Sequence, residues 1–344
     1  MLDLGTQPVT RDLLRTRDEI PYLHDMQLVF CNDCGFVQLA KAIPAEHLYS
    51  NYVCLSSWKP QPHVSRLLSI IGELPLSRQK TQILEVGSND GSFLERLRGE
   101  GWKNVCGLEP ARDACDAAEE RGIETIQGYF NSSAARDYTA QYGKAGLLIS
   151  RQVLEHVEDL EEFLKGIENS LAIGGYVVFE VPNFEFSMDW LDYGGIWEQH
   201  VNYFTLETIA NYLAAAGVEI LLTETFLFSG EALLVVGQCR GSNKCRPPET
   251  RASNRELRLS MERYGNRFIW MRKQFDRWFA ELKGREGPVV LYGAGGRGCS
   301  LVNFMEVGRY IDYAVDDQSE KQGLFLPGSL LPIRSPDFSK EDKG

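Results

Sequence analysis

The sequence predicts an α/β fold: an open, mostly parallel Rossmann-like sheet, a small N-terminal cap and an incomplete second Rossmann-like domain at the C-terminus. Three observations carry this expectation. Between Thr81 and Gly241, short apolar runs (QILEVG, NVCGLE, ETIQG, AGLLIS, YVVFEV) alternate with helical stretches, as parallel strands joined by helical crossovers do. Gln82 to Leu97, QILEVGSNDGSFLERL, is an apolar strand entering an acidic, glycine-bearing turn and then an amphipathic helix. Val289 to Tyr292 repeats that plan before Gly293-Ala294-Gly295-Gly296-Arg297-Gly298, which fits G-x-G-x-x-G.

Taken in order, residues 1–60 read as an irregular, turn-rich cap holding the knuckle Cys31-Asn32-Asp33-Cys34-Gly35. Residues 61–241 form the main domain. Its last two strands, EILLTETF and ALLVVGQC, are joined by Leu227-Phe228-Ser229-Gly230-Glu231, too short for a crossover, so they pair as an antiparallel hairpin. Residues 242–287 read as a polar, proline-containing hinge and a charged helix from about Asn254 to Lys283, anchored by Trp270, Phe275 and Trp278. Residues 288–344 begin a second unit in which Asp316 ends the strand YAVDD. Only two or so strands are expected there, too few to close a dinucleotide-binding sheet. The chain is expected to be truncated at both ends.

Composition narrows the function classes. A formal charge of −12 argues against nucleic acid as a partner, because phosphate binding needs clustered Lys and Arg. With 43% hydrophobic residues there is no apolar run of about 18, hence no membrane span, and MLDLGTQPVTRD lacks the basic and apolar regions of a signal peptide. A cytoplasmic monomer acting on a small molecule is expected. The eight cysteines read as reduced thiols, and only Cys31 and Cys34 are spaced like ligands.

The first glycine turn points to S-adenosylmethionine (SAM). It reads Gly87-Ser88-Asn89-Asp90-Gly91 rather than G-x-G-x-x-G, Glu85 sits inside the strand, and Glu109 ends the next strand. Glycines at a strand's carboxyl end admit close backbone approach, the following helix offers unpaired N–H groups, and a carboxylate about 20 residues on accepts both ribose hydroxyls. The expected cofactor residues are Glu85, Gly87, Ser88, Asn89, Asp90, Gly91, Glu109, Pro110, Ser150 and Arg151.

The whole chain resembles the SAM-dependent C-methyltransferases of nucleotide-activated deoxysugars, through LDLGTQPV, LVFCNDCGFVQLA, LEVGSNDGSFL, GLEPA, SRQVLEHVEDL, FEVPNF, IWEQHVNYF, LYGAGGRG and VDDQSEKQGLFLPGSLLPI in that order. The resemblance implies a zinc-binding N-terminal domain, a class I SAM-methyltransferase domain and a C-terminal C-methyltransferase domain. It implies two CxxC pairs for zinc. Only Cys31 and Cys34 are present, so the Zn2+ site is expected to be incomplete; His24, His47 and Cys54 are the spare donors. By resemblance His200 is the base that removes a proton beside a ketone, Gln199 stands where the family has glutamate, Glu198 where it has histidine, and Trp197 where it has tyrosine. Tyr203 is the expected holder of the enolate oxygen. Tyr52, Trp197 and Asn183 are the expected substrate contacts, and a TDP-type keto-deoxysugar the expected substrate. Two other classes stand beside this one: a nicotinamide oxidoreductase using the Gly293 loop, and a noncatalytic SAM- or sugar-nucleotide-binding module.

Overall fold

The computed structural model describes residues 2–43, 61–241, 251–285 and 287–337. The chain forms two compact units. One comprises Met1–Ser50, Phe186–Val201 and Ser253–Gly344; the other comprises Asn51–Glu185 and Asn202–Ala252.

In the first unit the N-terminal region is not irregular, contrary to the expectation from its turn-rich composition. Strands β1 (Leu2–Pro8), β2 (Leu23–Phe30) and β3 (Val37–Leu39) form an antiparallel meander. Leu2, Leu4, Met26, Leu28, Val37 and Leu39 are buried at period-2 spacing, but an irregularity between Asp3 and Thr6 and the three-residue length of β3 break the alternation up.

The second unit holds the central sheet. Strands β4 (Gln82–Val86), β5 (Asn104–Glu109), β6 (Thr125–Gln127), β7 (Ala145–Arg151) and β8 (Leu171–Pro182) are mutually parallel. A two-residue strand, β9 (Asn202–Tyr203), precedes the hairpin of β10 (Val218–Leu227) and β11 (Glu231–Cys239), which is antiparallel as expected and adds to β8. The order is β10-β11-β8-β7-β4-β5-β6. The strand order reverses beside β4, where an open sheet of this kind leaves a crevice for a ligand.

Helix α1 (Val64–Glu73) buries Val64, Leu67, Ile70 and Ile71, and α2 (Ser92–Gly99) buries Phe93, Leu94 and Leu97, against Ile83, Leu147, Ile149 and Val178 on one face of the sheet. Helices α3 (Arg112–Glu120), α4 (Ser132–Tyr142) and α5 (Leu160–Ser170) are further crossovers. Asn131 caps α4 by accepting from the N–H groups of Ser133 and Ala134, and Asp159 caps α5 through Glu162 N–H. Helix α6 (Phe184–Trp190) follows β8, and α7 (Leu206–Ala215) starts with a Thr205/Thr208 capping box.

Back in the first unit, α8 (Arg251–Lys283) is one continuous helix. Its buried stripe is Leu257, Met261, Tyr264 and Phe268, at helical spacing. Trp270 and Trp278, expected as anchors, are 48% and 52% exposed. The C-terminal part has three parallel strands rather than two: β12 (Val290–Tyr292), β13 (Tyr313–Val315) and β14 (Ile333–Arg334), with α9 (Gly296–Phe304) after the first. The short β14 was hidden because it offers only two residues of pattern.

Candidate cofactor cleft and catalytic segment

The first glycine turn needs its glycines. Gly87 has φ +70°, and a Cβ there would lie 2.3 Å from Val153 Cγ2; Gly91 has φ +72° and sits against Ala118 and Ile123. Gly87 N–H donates to Leu108 O at 2.8 Å, stitching the turn to β5. Glu109, at the end of β5, is 6% exposed. It accepts Asn89 N–H on Oε2 at 3.0 Å and Ala111 N–H on Oε1 at 2.9 Å. Burial outweighs these two bonds and holds its carboxyl above the ordinary range. Each oxygen keeps a second lone pair, which two ribose hydroxyls match. Asp90 serves the turn itself: Oδ1 accepts Ser92 N–H at 3.1 Å, and Arg121 Nη2 reaches Oδ2 at 2.9 Å. Asn89, with φ +49°, accepts Asp90 N–H on Oδ1. Pro110 is half-buried between Glu109 and Ala111.

Below the turn lies a feature that local sequence gives little hint of. Glu85, Arg151 and Glu180 stand on adjacent strands β4, β7 and β8 and make a buried group of ionisable side chains along the sheet's carboxyl edge. Arg151 Nε is 3.5 Å from Glu180 Oε2, Arg151 Nη1 is 3.9 Å from Glu85 Oε1, and its guanidinium lies 4.4 Å from the centre of the Phe93 ring. Arg151 also bonds Gln61 Oε1. The expected cofactor residue Arg151 is thus 8% exposed and packed beneath the strand ends. Burial pushes the Glu85 carboxyl up to about 8 against the pull of Arg151. Glu180 stays low, because hydrogen bonding from His63 and the charge of Arg151 outweigh its burial.

Several side-chain atoms on this edge are buried without a hydrogen-bond partner: Gln61 Nε2, His63 Nδ1, Glu85 Oε2, Ser88 Oγ, Ser150 Oγ and both oxygens of Glu155. Buried polar groups ordinarily find partners, so a concentration of orphans around a glycine turn marks a place for a polar ligand. A nucleoside bearing an amino acid fits that donor and acceptor set. Glu155, 1% exposed in the turn after β7, is pushed up to about 8 by burial despite its own backbone N–H.

The segment Ile196–Val201 belongs to the first unit. Trp197 lies on the C-terminal glycine loop: a Cβ on Gly296 would be 2.9 Å from its Cε3. Arg11 stacks 5.1 Å from the Trp197 ring centre, and His200 meets it edge-on at 4.9 Å. Trp197, the expected substrate contact, is partly buried among these neighbours. Glu198 is 1% exposed and accepts both the N–H and the hydroxyl of Thr10 at 2.9 Å, which ties the N-terminal strand's exit to this segment. Gln199 is buried at 2% exposure, whereas His200 is half-buried. In the other unit, Tyr203 is 5% exposed against Phe184, with ring centres 5.1 Å apart. Asn183 caps the start of α6 through Glu185 N–H and donates to Glu231 Oε1 at 2.8 Å, so its amide is used within the fold. Tyr52, His47 and Cys54 lie outside the described residues.

Cys31 and Cys34 are exposed in the β2–β3 turn, where Gly35 N–H donates to Cys31 O and Cys31 N–H to Phe36 O. Backbone N–H groups of Cys34 and Asp33 aimed at Cys31 lower its thiol pKa, as suits a zinc knuckle. His24 is seven residues up β2 and pairs with Gln7, roughly 20 Å away at about 3.3 Å per residue, so it does not complete the set. Among the described residues no third donor joins the two thiols.

The second glycine loop is occupied by its own chain. Asp316 Oδ2 accepts Ala294 N–H at 2.8 Å and Lys321 Nζ at 3.1 Å, and Oδ1 accepts Gln318 N–H at 3.0 Å. A Cβ on Gly298 would be 2.4 Å from Gly293 O, so that glycine serves backbone packing.

Three parts of the chain match known families. Residues 61–223 match the model of a methyltransferase domain, residues 244–344 that of the C-methyltransferase C-terminal domain, and residues 1–49 that of a zinc binding domain. The chain is a SAM-dependent methyltransferase. The methyltransferase is 27% identical over 349 residues to C-methyltransferase NovU of Streptomyces niveus, covering 98% of this chain and 83% of that protein. Among solved structures, a SAM-dependent methyltransferase from Archaeoglobus fulgidus is 18% identical, covering 51% of this chain and 92% of its own, with a TM-score of 0.42. The N-methyltransferase NodS from Bradyrhizobium japonicum, in complex with S-adenosyl-L-homocysteine, is 18% identical, covering 57% of this methyltransferase and 96% of its own chain, with a TM-score of 0.41. No helix among the described residues is long and apolar enough to cross a membrane.

Proposed function

We propose that the methyltransferase C-methylates a keto-deoxysugar carried on a nucleotide, through an enolate. The observation that carries the cofactor half of this reading is the cluster of orphaned polar atoms around the Gly87 turn, with Glu109 waiting on β5. The similarity to C-methyltransferase NovU supports transfer to carbon. SAM supplies an electrophilic methyl on a sulfonium. Glu109 would hold its ribose, the Ser88 and Ser150 hydroxyls would meet its polar groups, and the glycines would admit it closely.

His200 takes the proton from the carbon beside the ketone. Imidazole suits this, because its pKa lies near working pH and it returns the proton readily. Tyr203 donates to the enolate oxygen. Gln199 orients rather than ionises, so it stabilises imidazolium less than a carboxylate does. The protein acts as a cytoplasmic monomer on a small molecule, and Cys31 and Cys34 form half of a zinc site. One observation favours a second reading, a SAM-binding protein without turnover: Glu198, in the segment with His200, is spent on Thr10.

Incubating the protein with methyl-labelled SAM and a panel of TDP-linked keto-deoxysugars, with O- and N-acceptors as controls, separates these readings. Label on a sugar carbon is expected, with His200→Ala losing turnover while SAM affinity stays. Label on an O- or N-acceptor alone removes the sugar reading, and SAM binding without transfer to any acceptor favours the second.

A further inference from the structure

Gln152 stands immediately after Arg151, the last residue of β7, and β7 borders the strand that carries the Gly87 turn. Its backbone is in the left-handed region, with φ +53°, an unfavourable place for a residue with a β-carbon. Such conformations persist where the surroundings over-determine them, and they gather at ligand sites. Here the surroundings are all Glu180. Gln152 N–H donates to Glu180 O at 2.7 Å, and Gln152 Nε2 donates to Glu180 Oε1 at 3.0 Å.

Glu180 is itself immobile. Its side chain is fully buried, Oε2 is 3.1 Å from His63 Nε2, and Arg151 lies alongside. His63 is fixed in turn by stacking on Phe226, with ring centres 5.0 Å apart, and by Phe228 at 5.3 Å. A carboxylate only accepts, so the nitrogen of the Gln152 amide faces Glu180 and its carbonyl faces the other way. Gln152 is half-buried, while Glu180, His63 and Arg151 are buried. Its Oε1 is therefore the outward end of a locked network at the sheet's carboxyl edge, where an open α/β sheet receives its ligand.

We propose that Gln152 is a specificity-determining residue that accepts a hydrogen bond from a hydroxyl of the methyl acceptor, with Glu180 and His63 as positioning residues for its amide. This rests on the keto-sugar reading above. A fixed carbonyl selects a neutral donor such as a ring hydroxyl and disfavours a carboxylate or phosphate, which present only acceptors.

The test uses the full chain, TDP-linked keto-deoxysugars with and without a given ring hydroxyl, and S-adenosylhomocysteine affinity by calorimetry. Gln152→Gly removes the amide and suits the left-handed backbone, so the variant is expected to fold. It is expected to raise KM about tenfold for the hydroxylated acceptor, to leave KM for the deoxy acceptor unchanged, and to leave S-adenosylhomocysteine affinity within twofold. His63→Phe, which keeps the stack on Phe226 but drops the bond to Glu180, is expected to give a smaller rise confined to the same KM. Equal KM values for wild type and Gln152→Gly, or a fall in S-adenosylhomocysteine affinity matching the KM change, overturns the proposal while leaving the sugar reading intact. If wild type methylates no member of the panel, the sugar reading falls first and this inference with it.

Discussion

Glu155 and Glu109 are both buried carboxyls of the cofactor-binding unit, and their surroundings give them opposite work. Glu109 has a backbone N–H on each oxygen and spare lone pairs, so it is prepared to receive more donors. Replacing it with alanine is expected to weaken SAM binding by about 1.5–3 kcal/mol, the worth of a hydrogen bond to a charged group, as read by calorimetry. Unchanged affinity would take Glu109 out of the site. No other residue hydrogen-bonds the Glu155 carboxyl, His156 Nε2 lies 4.0 Å from its Oε1, and burial pushes it up to about 8. An acid whose pKa is raised on folding keeps its full contribution below the unfolded value and loses it as pH climbs through the folded one. Between about pH 4.5 and pH 8 the unfolded chain releases this proton while the folded chain keeps it, so stability falls with rising pH. Glu155→Gln removes the penalty. Its stability relative to wild type is expected to rise by about 2 kcal/mol or more between pH 5 and pH 8, measured by urea denaturation without SAM. Parallel pH curves for the two proteins would mean that Glu155 ionises normally.

Helix α8 shows how an element is misread from composition and set right by packing. Tryptophans draw attention in a charged helix, yet the buried stripe runs through Leu257, Met261, Tyr264 and Phe268, with Tyr264 and Phe268 at 0% and 1% exposure. Tyr193 stacks on Tyr264 at 4.4 Å and meets Phe268 edge-on at 5.0 Å, and the two tyrosine hydroxyls bond main-chain oxygens of each other's segments. Phe268→Ala is expected to cost about 3–5 kcal/mol, and Trp270→Ala within about 0.5 kcal/mol, in chemical denaturation. The reverse ranking would contradict this packing. The alternating strands and helices from β4 to β11 were legible because each is long and apolar enough to show its period, and the short Leu227–Glu231 loop allowed only a hairpin. Strands β1 to β3 were not, since the β1 alternation is interrupted between Asp3 and Thr6 and β3 offers only three residues. The group of Glu85, Arg151 and Glu180 was beyond reading for another reason: strand register, which no local pattern encodes, sets Arg151 opposite Glu180 and leaves Glu85 within reach of the Arg151 side chain.

At the scale of the whole chain the question is which of two glycine loops takes a nucleotide. Both follow a strand, open a helix and face an acid on the next strand, so pattern alone left them as rivals. Their surroundings separate them. Around the Gly87 turn, buried polar atoms of Ser88, Glu85 and Ser150 lack partners, and a ligand with many donors and acceptors lowers the free energy of that state. At the Gly293 loop, Asp316 already accepts from Ala294, Gln318 and Lys321 and Trp197 lies on Gly296, and the following helix has one buried unpartnered hydroxyl, Ser300 Oγ. A dinucleotide there has to displace these contacts before it gains any. Ligand binding stabilises the native state by mass action, about 2.7 kcal/mol at one hundred times Kd. For a domain of this size that is a rise of about 5–10 °C in the midpoint of the unit carrying the Gly87 turn. Thermal denaturation is expected to show that rise with SAM or S-adenosylhomocysteine and none with NAD or NADP. Gly87→Ala, which drives a Cβ into Val153, is expected to abolish the SAM shift. A shift with NAD that survives Gly87→Ala would move nucleotide binding to the second loop.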